Sequence, residues 1–113
     1  MSHEHFSYNK KFDYISQQWV NLSKSILKAR FESDANYYAC DFVSLSEKCL
    51  GISDLIKKTL GLYSVFENNF LPINNAMDEL DYESKSCGNT EISESIRLLR
   101  NETFNLMKEF RAS

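Results

Sequence analysis

The sequence has one proline and three glycines in 113 residues. Turns and strands draw on these two residue types, so their scarcity argues against a strand-rich fold and predicts long helices with few breaks. Only two histidines are present, His3 and His5. A Ser-His or Cys-His nucleophile, a phosphotransfer histidine in a bundle and the Glu-x-x-His ligands of a di-iron bundle all require one farther into the chain. There is no glycine-rich phosphate loop and no Walker pattern. The three cysteines, Cys40, Cys49 and Cys87, are odd in number and widely spaced. That arrangement suits neither a disulfide framework nor a zinc site, and it predicts a reducing compartment. No stretch approaches the ~20 apolar residues of a membrane span. The opening Met1 to Lys11 lacks the apolar core of a signal peptide. A net charge of −3 is not the concentrated basic face that phosphate backbones or anionic lipids select, so direct nucleic-acid and membrane binding are not expected. Asp78 and Asp81 could serve as paired carboxylates, but they sit in a run of acids that reads as a solvated face. Nothing assembles a base, a nucleophile and an oxyanion site. Neither enzymatic activity nor a cofactor or metal is expected.

What is present is periodicity. From Phe31 to Leu80 the residues Phe31, Ala35, Tyr38, Phe42, Leu45, Cys49, Ile52, Ile56, Thr59, Tyr63, Phe66, Phe70, Ile73, Met77 and Leu80 recur in alternating steps of four and three. A 4-3 repeat places these side chains on one helical face, which must be buried against other helices. A second seam, Phe12, Ile15, Trp19, Leu22, Ile26 and Ala29, precedes it. A third, Ile92, Ile96, Leu99, Thr103, Leu106 and Phe110, closes the chain. Eight Phe, six Tyr and one Trp supply large apolar surfaces, each worth roughly 1.5–3 kcal/mol when fully buried.

These seams predict an all-α fold: a helical hairpin or bundle of long heptad-patterned helices with a separate C-terminal amphipathic helix. Residues 1–8 are polar and expected to be disordered, the His3-Glu4-His5 stretch with them. A helical region follows over 9–82. Its first helix starts near Tyr8 or Lys11 and ends at Glu32. Ser33-Asp34 offers a cap or joint, and a long helix is expected from about Ala35 to Asn69. Leu50-Gly51-Ile52-Ser53-Asp54 offers a break there, although the 4-3 repeat passes through it. Pro72 opens a short helix to about Tyr82. Glu83 to Asn89, polar and aperiodic, reads as an acidic linker. The last helix, over 90–113, is capped by Asn89 or Thr90. Leu98, Phe104 and Met107 widen its apolar face beyond one stripe.

Two non-enzymatic classes fit this pattern. One is a helical adaptor in a multiprotein complex. The other is a self-associating bundle, a homo-oligomer, or a granule-surface protein of the phasin type, which the stretch Gln17-Gln18-Trp19-Val20-Asn21-Leu22 loosely resembles. Trp19 and Phe42, central to their seams, suit either the chain's own core or a partner-binding hot spot. The last helix likewise suits either an internal bundle or another protein's groove.

Within that helix, Ile96-Arg97-Leu98-Leu99-Arg100 resembles the start of the first helix of the smallest core histone. The overall plan of helical front, acidic linker and histone-like last helix is similar to a small fission-yeast centromere adaptor family of the Mis-eighteen complex, which loads the centromeric histone. The resemblance implies a nuclear, centromere- and kinetochore-associated, cell-cycle role. Residues 90–113 would bind an RbAp-type WD-repeat histone chaperone, and residues 12–80 a helical scaffold. It further implies docking by Ile96, Arg97, Leu99 and Arg100, extended by Leu106, Met107 and Phe110. The chain departs from the histone at Leu98 and Asn101, where the histone is basic.

Overall fold

A computed structural model describes residues 2–32, 41–60 and 70–112. They form four α-helices, α1 (Ser2–Glu32), α2 (Phe42–Leu60), α3 (Phe70–Lys85) and α4 (Thr90–Ala112), and no strand occurs among the described residues. Each helix packs on the next, and α4 returns onto α1 to close the bundle. The result is a rod with extents of 51, 20 and 18 Å.

Helix α1 begins at Ser2, which corrects the expectation of a disordered stretch over 1–8. A tertiary anchor near its start accounts for the difference. Tyr8 meets Phe110 edge to face at 5.3 Å, and its hydroxyl donates to the Glu109 carbonyl at 3.4 Å. Helix α2 starts from Asp41, whose Oδ1 accepts from the backbone N–H groups of Val43 and Ser44 at 3.0 and 3.1 Å. These are the unpaired donors that a helix N-cap satisfies. The expected Ser33-Asp34 joint and the segment from 61 to 69 lie outside the described residues. Gly51 and Ser53 do not interrupt α2, because Cys49, Ile52 and Ile56 on either side of them are all fully buried.

Helix α3 starts two residues before Pro72 and continues past Tyr82 to Lys85. Pro72 sits in the first turn, where a missing N–H costs no helical bond. At the other end Ser84 is buried and its hydroxyl returns to the Asp81 carbonyl at 2.8 Å. The expected linker therefore shrinks to Ser86–Asn89. Cys87 N–H donates to the Ser84 carbonyl at 3.1 Å, and Gly88 takes a φ of +83°, a backbone region that glycine enters without steric cost. Asn89 then caps α4, its Oδ1 accepting from Ile92 N–H at 3.1 Å. Cys87 is buried and disulfide-bonded, where the cysteine usage suggests a reducing compartment and no disulfide framework. An odd count does not exclude one bond with a cysteine left over. Cys49 is free, and Cys40 lies outside the described residues.

The core is built from the three seams. Phe12, Ile15, Trp19, Ile26, Phe42, Leu45, Cys49, Ile52, Ile56, Phe70, Ile73, Met77 and Leu80 are all buried. From α4 come Ile92, Ile96, Leu99, Leu106 and Met107. The α1–α2 pair is drawn close by small residues. Ser23 and Ser46 hydroxyls share a hydrogen bond at 2.5 Å, and Ser16 and Ser53, one heptad away on each helix, are also buried. In an antiparallel pair with that register Ser16 comes opposite Ser53, so two serine layers replace bulky side chains. Helix α4 is not set apart: it packs against α1 and α3 and supplies one side of the core.

Candidate interaction surface

The residues singled out for partner binding fall into two groups. Trp19, Phe42, Ile96, Leu99, Leu106 and Met107 are all buried in the chain's own core. Trp19 is completely enclosed. Its indole Nε1–H donates to Thr103 Oγ1 at 3.0 Å, while the Thr103 hydroxyl donates to the Leu99 carbonyl at 2.8 Å. A buried indole N–H needs such a partner, and this one joins α1 to α4. Phe110 is partly buried, meeting Phe12 and Phe70 edge to face at 6.0 and 6.1 Å. In this fold these seven side chains are not a free docking face. A heptad seam marks residues that must be covered, and here they are covered within the chain.

The arginines differ. Arg97 is exposed and reaches back to Glu94 on its own helix, with Nε to Oε2 at 3.2 Å and Nη2 to Oε1 at 2.5 Å. That hydrogen bond holds the Glu94 carboxyl below its ordinary range and raises Arg97. Arg100 crosses to α3, bonding Asp78 and reaching Asp81 Oδ2 at 3.4 Å. Lys85 adds a second cation on Asp81 at 3.2 Å. Asp78 and Asp81 are thus held in an ion-pair network between α3 and α4.

The outward side of the bundle carries what the seams do not. Leu98 is 55% exposed and Phe104 48%. They lie six positions apart, about 120° around the helix at ~100° per residue, so they flank the solvent face of α4 on opposite sides. Leu98 borders a hollow of about 340 Å³ between α4 and α1, with Gln18 and Leu22 across from it. This joins a second hollow of about 480 Å³ along the same groove through Tyr14 and Glu102. Phe104 borders two further hollows toward α3, of about 350 and 220 Å³. Both residues stand off the α4 seam in the sequence. That off-seam position singles them out together with Met107, which the fold buries.

Chemistry-bearing groups elsewhere are structural. Lys48 on α2 bridges to Glu83 and, at 3.2 Å, to Glu79 on α3. The Glu83 bond is the main reason its pKa is raised. Burial pushes the Cys49 thiol up to about 12, which keeps it protonated and unreactive at neutral pH. Among the described residues no group of His, Cys, Asp or Glu is placed to hold a metal ion, and no helix is long and apolar enough to cross a membrane. Comparison of the chain with protein-family models, with curated proteins and with solved structures finds no match.

Proposed function

We propose that the chain is a non-catalytic helical adaptor that engages a protein partner through the outward face of α4. The observation that carries this reading is the pair Leu98 and Phe104, two large apolar side chains left about half exposed on a helix that buries Ile92, Ile96, Leu99, Leu106 and Met107. An exposed aromatic beside an arginine suits an interface centre, and Arg97, seven positions before Phe104, lies on the same side of α4 as that ring.

The histone-like run Ile96-Arg97-Leu98-Leu99-Arg100 supports an RbAp-type WD-repeat histone chaperone as the partner class, and with it a nuclear, centromeric setting. Ile96 and Leu99 hold α4 in the bundle, so the contact set shifts from them to Arg97, Leu98 and Phe104. A helical scaffold would likewise meet outer residues of α2, where Val43 and Leu50 are exposed at 36% and 40%, since the seam of 12–80 is spent on the core.

The test is binding of a purified RbAp-type chaperone to the full-length chain and to Leu98→Asp/Phe104→Asp. Binding to the parent, its loss in the variant, and unchanged helicity and melting temperature would support the proposal. A variant that binds as well as the parent would refute it. Ending the chain at Asn89 is a poorer test, because it strips the core of Ile96, Leu99, Leu106 and Met107 together.

A further inference from the structure

The groove between α1 and α4 has a charge pattern that the adaptor reading does not use. Two hollows form it, sharing Tyr14 and Glu102. It runs from Lys10 to Ser25 on α1, about 22 Å at ~1.5 Å per residue. Its floor is apolar, made by Ile15 and Leu106 at one end and by Leu22 and Leu99 at the other. Its rims carry exposed Tyr14 (59%) and Leu98. The two walls differ in sign: Lys10 and Lys11 stand on the α1 wall, Glu102 and Glu109 on the α4 wall.

We propose that a second copy of this chain docks face to face on this groove, about a twofold axis running along it. The helices α1 and α4 are antiparallel here, because Lys11 lies level with Glu109 and Trp19 with Thr103. A twofold along the groove lays α1 of one copy over α4 of the other at the same height. Lys11 of each copy then meets Glu109 of the other, and the end of the groove becomes a square of alternating charge. Within one chain Lys11 and Glu109 are 3.9 Å apart with side chains 50% and 60% exposed, a pair worth little alone. Dimer formation shields it and doubles the number of opposite-sign neighbours. The same docking covers Tyr14 and Leu98, so a dimer and the chaperone compete for Leu98. The alternative twofold, across the groove, sets α1 on α1 and α4 on α4, where the α1 lysines no longer meet the α4 glutamates, so the charges choose the first arrangement. Each surface is its own complement, as an isologous contact requires.

The experiment is sedimentation equilibrium of the full chain from low micromolar to millimolar concentration. The parent is expected to show a monomer–dimer equilibrium. Lys10→Glu/Lys11→Glu and Glu102→Lys/Glu109→Lys should each weaken it by about tenfold or more, while their equimolar mixture restores dimers. Lys24→Glu, a charge reversal on α1 away from the groove, should leave association unchanged. Phe104→Asp lies on the α3 side of α4 and should also leave it unchanged, which separates this proposal from the chaperone contact. A parent that stays monomeric throughout overturns the proposal. So do charge reversals without effect, or a mixture that fails to restore dimers. If the parent is monomeric and the groove variants instead lose chaperone binding, the groove belongs to that partner and not to a second copy.

Discussion

Replacing Thr103 with valine isolates one hydrogen bond in the middle of the core. Valine has nearly the same shape, so the change opens no cavity. It removes the oxygen that accepts the Trp19 indole N–H at 3.0 Å. The Leu99 carbonyl, which accepts the Thr103 hydroxyl, lies inside α4, where a helical partner remains available. The cost is therefore that of one buried, unsatisfied indole N–H, about 1–3 kcal/mol. For a chain of this size that corresponds to a fall in Tm of roughly 4–8 °C per kcal/mol at most, and about half that at least. Urea unfolding followed by circular dichroism gives the energy. The single tryptophan gives one indole proton resonance, whose position reports the bond directly. The deciding comparison is a double-mutant cycle with Trp19→Phe. In that background Thr103→Val has no indole to orphan and should cost almost nothing. Equal destabilisation in both backgrounds would refute the argument, because the loss would then come from packing around residue 103 and not from the bond.

Gly51→Ala should stabilise the protein by about 1 kcal/mol, read as a higher urea midpoint, since an added Cβ there meets nothing within 4 Å in a helix interior. Gly88→Ala should do the opposite, because φ is +83° at that turn and a side chain is strained there. Asn89→Ala removes the α4 cap and should cost about 1 kcal/mol, visible as loss of helicity and stability in circular dichroism. For Cys49 the folded thiol is raised to about 12 from 9.0. Its contribution is present in full below pH 9 and is lost as pH rises toward about 12, because the unfolded chain releases that proton first. Stability should therefore fall less steeply between pH 9 and 11 in Cys49→Val than in the parent, and equal slopes would count against the assignment.

The seams were legible because a 4-3 repeat has one physical meaning, burial of one helical face. Every described residue of the 31–80 seam whose side chain is placed is buried. The same regularity concealed where α2 begins. A heptad pattern can run in step across an interruption, so only the Asp41 cap, a short-range carboxylate effect, marks the start. The stretch 83–89 looked like a linker from its serines and acids. Yet Ser84 is buried and turns its hydroxyl onto its own helix, and Asp81, in the acidic run just before the stretch, meets two cations from Arg100 and Lys85, so polar residues end up enclosed. Periodicity also says that a face is covered without saying by what. Ile96 and Leu99 fitted another protein's groove as well as they fit the space beside Trp19. The off-seam positions of Leu98 and Phe104 were visible in the sequence. Their exposure depended on where α1 and α3 lie beside α4, which no local pattern contains.

The contact between Trp19 and Thr103 spans 84 positions of chain. On a ribosome adding about 5–20 residues per second, roughly 4 to 17 s pass between the synthesis of one and of the other. During that interval α1, α2 and α3 have been made, but the side of α1 that receives α4 has no lid, and Phe12 and Trp19 face solvent or whatever else is near. The bundle is therefore finished from its last helix. A nascent chain stalled before residue 107 is therefore expected to leave apolar surface uncovered, the kind of species that is aggregation-prone.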